Sequence, residues 1–328
     1  MKEAFYQKLI TILQDKQILI EEPLAKHTTF EIGGPADFLV MPESVTQVTQ
    51  TIKLCRAMNI PFYIMGNGSN LLVSDKGYRG TIIKLGKDFS KITFDEETAG
   101  EGKYSAAEAS GKKDCSGQEE YHKVRAQAGV LLSKLANEIA EHSLTGFEFA
   151  AGIPGTLGGA VTMNAGAYDG EIKQTILEAV VSDQNGNVIR LNAEELHMGY
   201  RTTVIQEKDY IVLEALFGFQ TDSKEEILGK INDLNRRRRE KQPLEYPSAG
   251  STFKRPAGFY AGKLIMDSGL RGYQVGNAQV SEKHCGFVIN KGGATASEVK
   301  TLISDVIEIV NHKFGVVLEP EVKLLGEF

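Results

Sequence analysis

A serine flanked by glycine and two cations is the first feature of this sequence that could take part in chemistry. Residues 249–256 read Ala-Gly-Ser-Thr-Phe-Lys-Arg-Pro, which places Ser251 after Gly250 and shortly before Lys254 and Arg255. Glycine lets a chain turn tightly and lets a ligand approach the backbone. No base stands beside the serine, so it is a poor nucleophile, but it could protonate a very basic acceptor such as a carbanion or enolate. Taken alone, these residues favour the simpler interpretation, an ordinary glycine-serine loop with solvated cations.

Two further residues could bind or polarise a carboxylate. Arg201 follows Tyr200, and a guanidinium fork is the natural partner of two carboxylate oxygens. Glu321 opens an apolar strand that we predict over 321–325. Each has an ordinary alternative, since Arg201 could be a surface arginine paired with a neighbour and Glu321 a charge at the end of a strand. For Arg201 the sequence alone favours the surface interpretation.

Two glycine-rich stretches could present backbone N–H groups to a phosphate-bearing ligand. The first is Gly66-Asn67-Gly68-Ser69-Asn70-Leu71-Leu72. It resembles an anion-binding nest, although it is neither a dinucleotide-binding fingerprint nor a P-loop, and a plain turn is the default interpretation. The second covers 150–168, where small residues could lie flat against a planar ligand or form a tight loop with a glycine-packed helix. Together they favour a large phosphate-bearing cofactor.

Composition limits the classes of protein to which the chain could belong. The 328 residues include 41% hydrophobic and 24% charged side chains, as expected for a globular protein of two or three domains. The net charge of −6 argues against a nucleic-acid-binding surface, so we interpret Arg236–Arg239 as the solvated face or end of a helix. The 34 glycines exceed the usual share of ~7%, which favours binding through the backbone.

The sparse cysteines and the lack of long apolar runs indicate the cellular compartment of the protein. The three cysteines, Cys55, Cys115 and Cys285, are far apart and form no metal-ligand spacing, so we predict no metal site. A sparse, odd set of cysteines suits a reducing environment. We find no signal-peptide pattern and no apolar run near the ~20 residues of a membrane span, and we therefore expect a cytoplasmic protein.

Periodicity predicts a mixed α/β chain. Helices are expected over 3–20, from 45, around 131–139, from 223 into the arginine run, and from a Thr295/Glu298 capping box. Strands are expected over 27–36, 38–41, 60–65, 81–85, 210–217 and 286–290, with a hairpin over 180–191 that turns at Asn185-Gly186. Residues 97–123 contain no Val, Leu, Ile or Phe, so we predict an exposed insertion without a catalytic role.

These stretches together resemble one family. From about His27 to Gly326, apart from the insertion, the chain is similar to the UDP-N-acetylenolpyruvoylglucosamine reductases (MurB) of peptidoglycan synthesis. The resemblance rests on several short motifs in a fixed order, and the short C-terminal part resembles the subclass that lacks an extra substrate-covering loop. The motifs are His27-Thr28-Thr29-Phe30, Gly33-Gly34-Pro35-Ala36, Gly66 to Leu72, Gly152 to Gly155, Asn164 to Tyr168, Tyr200-Arg201, Gly250 to Lys254, and Glu319 to Val322.

The resemblance implies a fold and a cofactor. It implies an FAD-binding two-domain fold of the vanillyl-alcohol-oxidase (PCMH) type, of mixed α/β and α+β class, with a smaller α+β domain for the UDP-sugar. The implied boundaries are 1–85 and 86–222 for the two FAD-binding subdomains and 223–315 for the substrate domain. The strand in 316–328 could return to the first subdomain. NADPH would reduce non-covalently bound FAD, which would then reduce enolpyruvyl-UDP-N-acetylglucosamine to UDP-N-acetylmuramate. We expect a monomer with small-molecule partners only, without nucleic acid or membrane.

The same resemblance implies roles for individual residues. Arg201 and Glu321 match the residues that hold and polarise the enolpyruvyl carboxylate, and Ser251 matches the proton donor. The residues implied to bind the cofactor are Gly66, Asn67, Gly68, Ser69, Asn70, Leu71, Gly152, Ile153, Pro154, Gly155, Gly159, Met163, Asn164, Ala165 and Gly166. The residues implied to bind the substrate are Tyr168, Lys254, Arg255 and Lys263.

Two other functions are compatible with the motifs. A sugar or alcohol oxidase on the same fold often binds flavin covalently through His or Cys, and neither residue occurs in the glycine clusters here. A UDP-sugar or flavin sensor would keep the glycine loops and lose the acid and the arginine. Because Ser251, Arg201 and Glu321 are all present, the sequence favours the reductase.

Overall fold

The computed structural model has eight α-helices among the residues that it describes, and capping residues explain the limits of the last one. The structure describes residues 2–95 and 121–328. The helices in this part are α1 (Lys2–Leu9), α2 (Val45–Ala57), α3 (Leu132–Glu141), α4 (Leu157–Thr162), α5 (Val204–Glu207), α6 (Lys224–Lys241), α7 (Ala261–Asp267) and α8 (Ala296–Phe314). The predicted capping box is confirmed at α8, where Thr295 and Glu298 each accept from the other's amide. The same helix ends at Gly315, whose φ of 66° favours glycine.

Strands make up most of the remaining regular structure. They are β1 (Ile18–Pro23), β2 (Pro35–Val40), β3 (Phe62–Met65), β4 (Leu71–Val73), β5 (Tyr78–Lys84), β6 (Ile92–Phe94), β7 (His122–Gln127), β8 (Leu144–Thr145), β9 (Gly166–Ala167), β10 (Gly170–Glu171), β11 (Ile176–Ser182), β12 (Val188–Asn192), β13 (Ile211–Thr221), β14 (Ser248–Ser251), β15 (Gln274–Val275), β16 (Ala278–Val280), β17 (Phe287–Asn290) and β18 (Lys323–Leu325). The described part of the chain contains no helix long and apolar enough to cross a bilayer.

The chain divides into two compact units. The first comprises Met1–Gln14, Met41–Asn59 and Lys84–Arg236, and the second comprises Asp15–Val40, Ile60–Ile83 and Arg237–Phe328. Each unit is therefore assembled from segments that are distant in sequence.

The first unit is built around an antiparallel sheet in the order β12-β11-β13-β7-β6. The predicted hairpin is confirmed, since β11 pairs with β12 and Gly186 in the turn has a φ of 79°. The long strand β13 pairs with β11 and β7. Its buried Phe217 and Phe219 contact Phe147 edge-on, which fixes the core beneath the sheet.

The second unit contains two four-stranded sheets and a parallel pair. The sheets run β1-β2-β5-β3 and β14-β17-β16-β15, and β18 pairs with β4 in parallel. Helix α8 supplies much of the core, because Leu302, Val306 and Val310 are buried at helical spacing. The β18–β4 pairing brings the C-terminal residues beside the first glycine-rich loop.

Two elements predicted near the N-terminus have different limits in the structure. The helix expected over 3–20 ends at Leu9, and residues from Ile18 form β1 because they pair with β2, with Ile18 opposite Val40. Where a strand is expected over 27–36, His27 ends a short 3-10 helix, and the chain is irregular from Thr28 until β2 begins at Pro35. The Thr28 hydroxyl donates to the carbonyl of Ile32, which stabilises a local turn in place of a ladder.

The arginine run lies in the last turns of α6, as predicted, but it is not fully solvated. Arg238 is buried, while Arg236, Arg237 and Arg239 are exposed. Successive helical residues point in directions about 100° apart, so a run of four cannot share one face. Arg238 continues the inward stripe of Ile227, Ile231 and Leu234 at spacings of four, three and four.

The end of the predicted insertion also differs from expectation. Most of 97–123 lies outside the described residues. Its last two positions, His122 and Lys123, belong to β7, where they face Phe219 and Gly218 of β13. Lack of large apolar side chains does not prevent pairing there, because β13 supplies the complementary ladder.

Candidate functional site

The first glycine-rich loop, in the second unit, presents three consecutive backbone donors. Gly68 has a φ of 63°, and a Cβ there would lie 2.5 Å from the carbonyl oxygen of His27, so only glycine fits. Within residues 2–95 and 121–328, the amides of Gly68, Ser69 and Asn70 donate no hydrogen bond to another protein group. Three consecutive available N–H groups around a left-handed residue form a nest that suits an anion such as a diphosphate.

Asn70 ties this loop to Glu321. Its side-chain amide donates to the carbonyl oxygen of Glu321 at 3.2 Å, and its own carbonyl accepts from the amide of Lys323 at 3.0 Å. The β4–β18 pairing continues the same register, with Leu71 opposite Lys323. The half-buried Glu321 therefore stands at a fixed position beside the nest.

The segment that carries Ser251 is joined to the same part of the chain as Glu321. The amide of Glu321 donates to the carbonyl of Thr252 at 2.8 Å, and the amide of Lys254 donates to the carbonyl of Glu319 at 2.9 Å. Thr252 is buried, and its hydroxyl accepts from the amide of Val288 at 3.0 Å. The structure thus brings the predicted residues Ser251 and Glu321 onto neighbouring backbone segments.

Ser251 itself remains open to a ligand. It is exposed at the end of β14, where it pairs with Phe287 of β17. Gly250 before it has a φ of 74°, and a Cβ there would meet nothing within 4 Å among the described residues. The serine hydroxyl therefore lies on an anchored strand with space in front of its backbone.

In the first unit, Arg201 occupies a strained turn. Its φ is 56°, an uncommon value for a residue with a side chain. Its Nη2 donates to the carbonyl of Gly166 at 3.3 Å, and its guanidinium lies 5.6 Å from the ring centroid of Tyr200. Gly166 belongs to the second glycine-rich stretch, so the structure brings these two predicted features together.

Strained backbone recurs around that stretch. Asn164, Tyr168 and Asp169 also have positive φ values, of 45°, 50° and 67°. Such conformations persist only where surrounding contacts enforce them, and they concentrate at functional sites. This clustering marks 164–169 and the Arg201 turn as the candidate site of the first unit.

Adjacent glycines in α4 have different structural roles. A Cβ on Gly158 would lie 2.9 Å from the Cβ of Ala128, so this glycine permits close packing. A Cβ on Gly159 would meet nothing within 4 Å in the described structure, and the residue is exposed. Of these two glycines, only Gly159 has open space beside its Cα, and Gly159 is the one predicted to contact the cofactor.

The remaining predicted cofactor residues, Gly152, Ile153, Pro154, Gly155, Met163 and Ala165, also lie in the first unit. The loop before α4 is held at Gly155, whose carbonyl accepts from the amide of Leu132 at 3.1 Å. At the other end of α4, the amide of Ala165 donates to the carbonyl of Ala160 at 2.8 Å. Both flanks of the glycine-rich stretch are therefore fixed by backbone bonds.

The predicted substrate-binding cations already have partners. Lys254 contacts Glu319, Lys263 lies 2.8 Å from Asp267, and the guanidinium of Arg255 lies 4.1 Å from the ring centroid of Tyr260. These groups are solvent-accessible, and exposed ion pairs contribute little to stability. An incoming phosphate could therefore replace the carboxylates at small cost.

Two contributors were missed in the sequence. Thr252 follows Ser251 in its motif, and its buried hydroxyl and carbonyl help to connect the Ser251 segment to β17 and Glu321. Thr203 follows the Arg201 turn, and its hydroxyl donates to the carbonyl of Thr162 at 2.6 Å. Neither has a periodic signal, because both act through contacts between distant segments.

Comparison with known proteins gives matches over most of the chain. Residues 36–192 match the FAD binding domain family, and residues 242–325 match the C-terminal domain family of UDP-N-acetylenolpyruvoylglucosamine reductase. Proteins named UDP-N-acetylenolpyruvoylglucosamine reductase are 52% identical in Lachnoclostridium phytofermentans and 50% identical in Agathobacter rectalis. The first match covers 100% of this chain and 99% of the relative, and the second covers 100% of each.

A solved structure agrees with these matches. The crystal structure of UDP-N-acetylenolpyruvylglucosamine reductase (MurB) from Thermus caldophilus superposes with a TM-score of 0.72 at 31% identity, covering 94% of this chain and 98% of that one. The predicted fold class is thereby confirmed, an FAD-binding fold of the vanillyl-alcohol-oxidase type with a smaller α+β substrate-binding domain. The chain belongs to the UDP-N-acetylenolpyruvoylglucosamine reductase family.

Proposed function

We propose that Arg201, Glu321 and Ser251 are the catalytic groups with which this chain performs the reaction of its family. That reaction is the NADPH-dependent, flavin-dependent reduction of enolpyruvyl-UDP-N-acetylglucosamine to UDP-N-acetylmuramate in peptidoglycan precursor synthesis. The observation that carries the proposal is the backbone connection in the second unit. There Glu321 is bonded both to the glycine nest, through Asn70, and to the segment that carries Ser251, through Thr252.

The described residues fit FAD. The available amides of Gly68, Ser69 and Asn70 would hold its diphosphate, together with Gly66, Asn67 and Leu71. In the first unit, the open face at Gly159 supports contact of the flavin with Gly152–Gly155 and with the backbone of Met163–Gly166. When bound, FAD would supply the redox chemistry, the transfer of hydride from NADPH to the terminal enolpyruvyl carbon.

Ser251 is proposed as the proton donor. Hydride addition leaves negative charge on the substrate carbon that bears the carboxylate, and a carbon base of this strength can take a proton from an ordinary alcohol. The serine needs no lowered pKa for this role. It needs a fixed position, which the β14–β17 pairing and the buried Thr252 supply.

Arg201 and Glu321 are proposed to hold and polarise the substrate carboxylate. A guanidinium forms two parallel hydrogen bonds with a carboxylate, and it contributes most when charge grows on that group in the transition state. The strained conformation of Arg201 indicates that contacts around it enforce its position before substrate binds.

The nucleotide part of the substrate is proposed to bind through cations and Tyr168. Lys254, Arg255 and Lys263 are exposed or half-buried in the second unit. Tyr168 is 38% exposed in the first. The phosphates of NADPH could use the same cations, because their present ion pairs with Glu319 and Asp267 are exchangeable.

We further propose the three-domain division predicted above and a cytoplasmic monomer. Return of the C-terminal strand to the first FAD-binding subdomain is supported by the pairing of β18 with β4. The net charge of −6 supports a protein that neither self-associates nor binds nucleic acid. Light scattering coupled to size-exclusion chromatography tests the monomer, for which we expect the mass of one 35.9 kDa chain plus cofactor.

The test of the proposed function is spectroscopic. An absorbance scan of purified protein is expected to show bound flavin that is released on acid denaturation. NADPH is then expected to bleach the flavin, and the enolpyruvyl sugar to restore its colour. Flavin that stays on the denatured chain, together with turnover of free sugars, would indicate the alternative oxidase.

A further inference from the structure

The side chain of Asn164 is fully engaged inside the first unit. It is 1% exposed, and its Nδ2 donates to Glu171 Oε2 at 2.8 Å and to the carbonyl of Gly199 at 3.0 Å. Its Oδ1 accepts from the amide of Lys173 at 3.0 Å. Both hydrogens of the amide are therefore used by protein groups, and none is left to donate to a bound ligand.

The orientation of this amide is determined by its neighbours. The groups facing Nδ2 are a carboxylate and a carbonyl, both of which can only accept, and the group facing Oδ1 is an N–H. A flipped amide would put oxygen against two acceptors and leave the amide of Lys173 without a partner. Only one of the two orientations satisfies the network.

Two contacts from the same short segment flank Arg201. Asn164 bonds the carbonyl of Gly199, two positions before the arginine, and the carbonyl of Thr162 accepts from the hydroxyl of Thr203, two positions after it. Arg201 itself donates to Gly166 of that segment. Residues 162–166 thus contact the turn before, at and after its arginine.

The turn is also closed by bonds within its own backbone. Gly199 and Thr202 pair with each other through bonds of 3.0 and 3.4 Å, and Arg201 between them has a φ of 56°. A positive φ is unfavourable for arginine and persists only where contacts enforce it. The contacts of Asn164 and Thr203 are buried and join the turn to residues 162–164, so they can help to enforce this conformation.

We propose that Asn164 is a positioning residue for Arg201, acting through the carbonyl of Gly199, and that its side chain does not bind the cofactor. Thr203 is the second tether of the same turn. This inference rests on the proposed role of Arg201. In it, residues 162–166 orient the guanidinium that binds the substrate carboxylate.

The test uses Asn164→Gly, because glycine accepts the positive φ of 45° while removing the side chain. Asn59→Gly is the matched control, since Asn59 is exposed, lies in the same unit and has a φ of 53°. Flavin content and the rate of flavin reduction by NADPH are expected to stay within about threefold of wild type for both variants. Reoxidation by the enolpyruvyl sugar is expected to slow about 10- to 100-fold for Asn164→Gly only, as for other misplaced catalytic groups.

A double-mutant cycle distinguishes positioning from an independent role. In an Arg201→Ala background, Asn164→Gly is expected to change reoxidation by less than about threefold, because a residue that acts through Arg201 has nothing left to position. An undiminished effect in that background overturns the proposal, as does equal loss of flavin binding. If Arg201→Ala leaves reoxidation unchanged, the catalytic role of Arg201 is wrong. Hydrogen exchange at Gly199 and Thr202 then shows whether Asn164 still holds the turn.

Hydrogen exchange gives a readout that does not need the cofactor. In apoprotein and holoprotein alike, the amides of Gly199 and Thr202 are expected to exchange faster in Asn164→Gly and to be unchanged in Asn59→Gly. Unaltered exchange in the turn overturns the tether. Should Asn164→Gly fail to fold, Thr203→Val removes the second tether with almost no change of shape, and the same exchange and reoxidation changes are expected there.

Discussion

The side-chain amide of Asn70 donates to the backbone carbonyl of Glu321 at 3.2 Å, although the two residues are 251 positions apart. The same asparagine sits in the glycine nest, whose backbone amides are available to an anion. One residue thus contributes its main chain to the proposed diphosphate site and its side chain to the position of the proposed catalytic carboxylate. These two roles can be separated by mutation, because truncation of the side chain leaves the backbone amide in place.

Asn70→Ala is expected to retain flavin and to slow reoxidation of reduced enzyme by the enolpyruvyl sugar about tenfold. The lost hydrogen bond stabilises the fold by about 1 kcal/mol, so only a small drop in melting temperature should accompany the change. Stopped-flow absorbance of the two half-reactions makes the measurement. Asn311→Ala, on the exposed surface of α8, is the control and is expected to behave as wild type. Loss of flavin as the main effect would show that the side chain binds the cofactor instead.

Ser251→Ala separates proton donation from hydride transfer to the flavin. Flavin reduction by NADPH is expected to stay nearly intact, because no proton from Ser251 is needed in that step. Reoxidation by the enolpyruvyl sugar is expected to slow roughly 10²–10⁴-fold, the usual contribution of a positioned acid. Pre-steady-state traces of both half-reactions give the comparison. A similar loss in both would exclude the assigned role.

Local patterns predicted the elements that are stabilised locally. The Asn185-Gly186 hairpin and the Thr295/Glu298 capping box are each specified by residues within a few positions, and both are confirmed. The strand from Ile18 was mistaken for helix because its partner β2 is distant in sequence, and pairing overrides propensity. The buried Arg238 was missed because a charge run suggests solvent even when helical spacing turns one member inward.

The sequence identified the residues of the candidate site but not the contacts that hold them in position. Motifs singled out Ser251, Glu321 and Arg201, which stay predictions as catalytic residues. The contacts that fix them come from Thr252, Asn70 and Asn164, whose partners lie far away in sequence. No spacing rule reports such contacts, because they depend on the tertiary structure. For the same reason Asn164 was assigned to the cofactor, whereas its side chain is used within the protein.

The folded protein is expected to lose stability on acidification through His284. Burial lowers the pKa of this imidazole below its ordinary 6.5, and its Nδ1 accepts from the amide of Gly286 at 3.1 Å, which requires the neutral ring. Well above pH 6.5 the residue is neutral in the folded and unfolded states and adds no pH dependence. Below it the unfolded chain takes up the proton first, so stability falls as the pH falls.

His284→Gln is expected to reduce this acid sensitivity. Melting temperatures measured at about pH 7.5 and about pH 5.5 should differ less in the variant than in wild type, since glutamine has no proton to bind in this range. His312→Gln, on the exposed surface of α8, is the matched control for loss of a histidine. An unchanged difference in His284→Gln would show that other groups cause the acid sensitivity.

Asp75 completes the cap of α8 from a distant part of the second unit. Its carboxylate oxygens accept from the amides of Ala296 at 2.7 Å and Ser297 at 3.0 Å, while Thr295 and Glu298 satisfy each other's amides. Every amide from 295 to 298 therefore has a side-chain acceptor, whereas a helix start normally leaves such donors unsatisfied. The negative charge also faces the positive end of the helix dipole.

Asp75→Ala is therefore expected to destabilise the second unit by about 1–2 kcal/mol, the usual cost of losing a helix cap. Denaturant unfolding gives the free energy, and hydrogen exchange at Ala296 and Ser297 localises the change. Asp75→Asn is the matched variant; it keeps one acceptor and loses the charge, so its loss should be smaller. Because the carboxylate bonds two amides and the Thr295 hydroxyl bonds one, Asp75→Ala should cost at least as much as Thr295→Ala. The reverse order would mean that the local capping box alone determines where α8 begins.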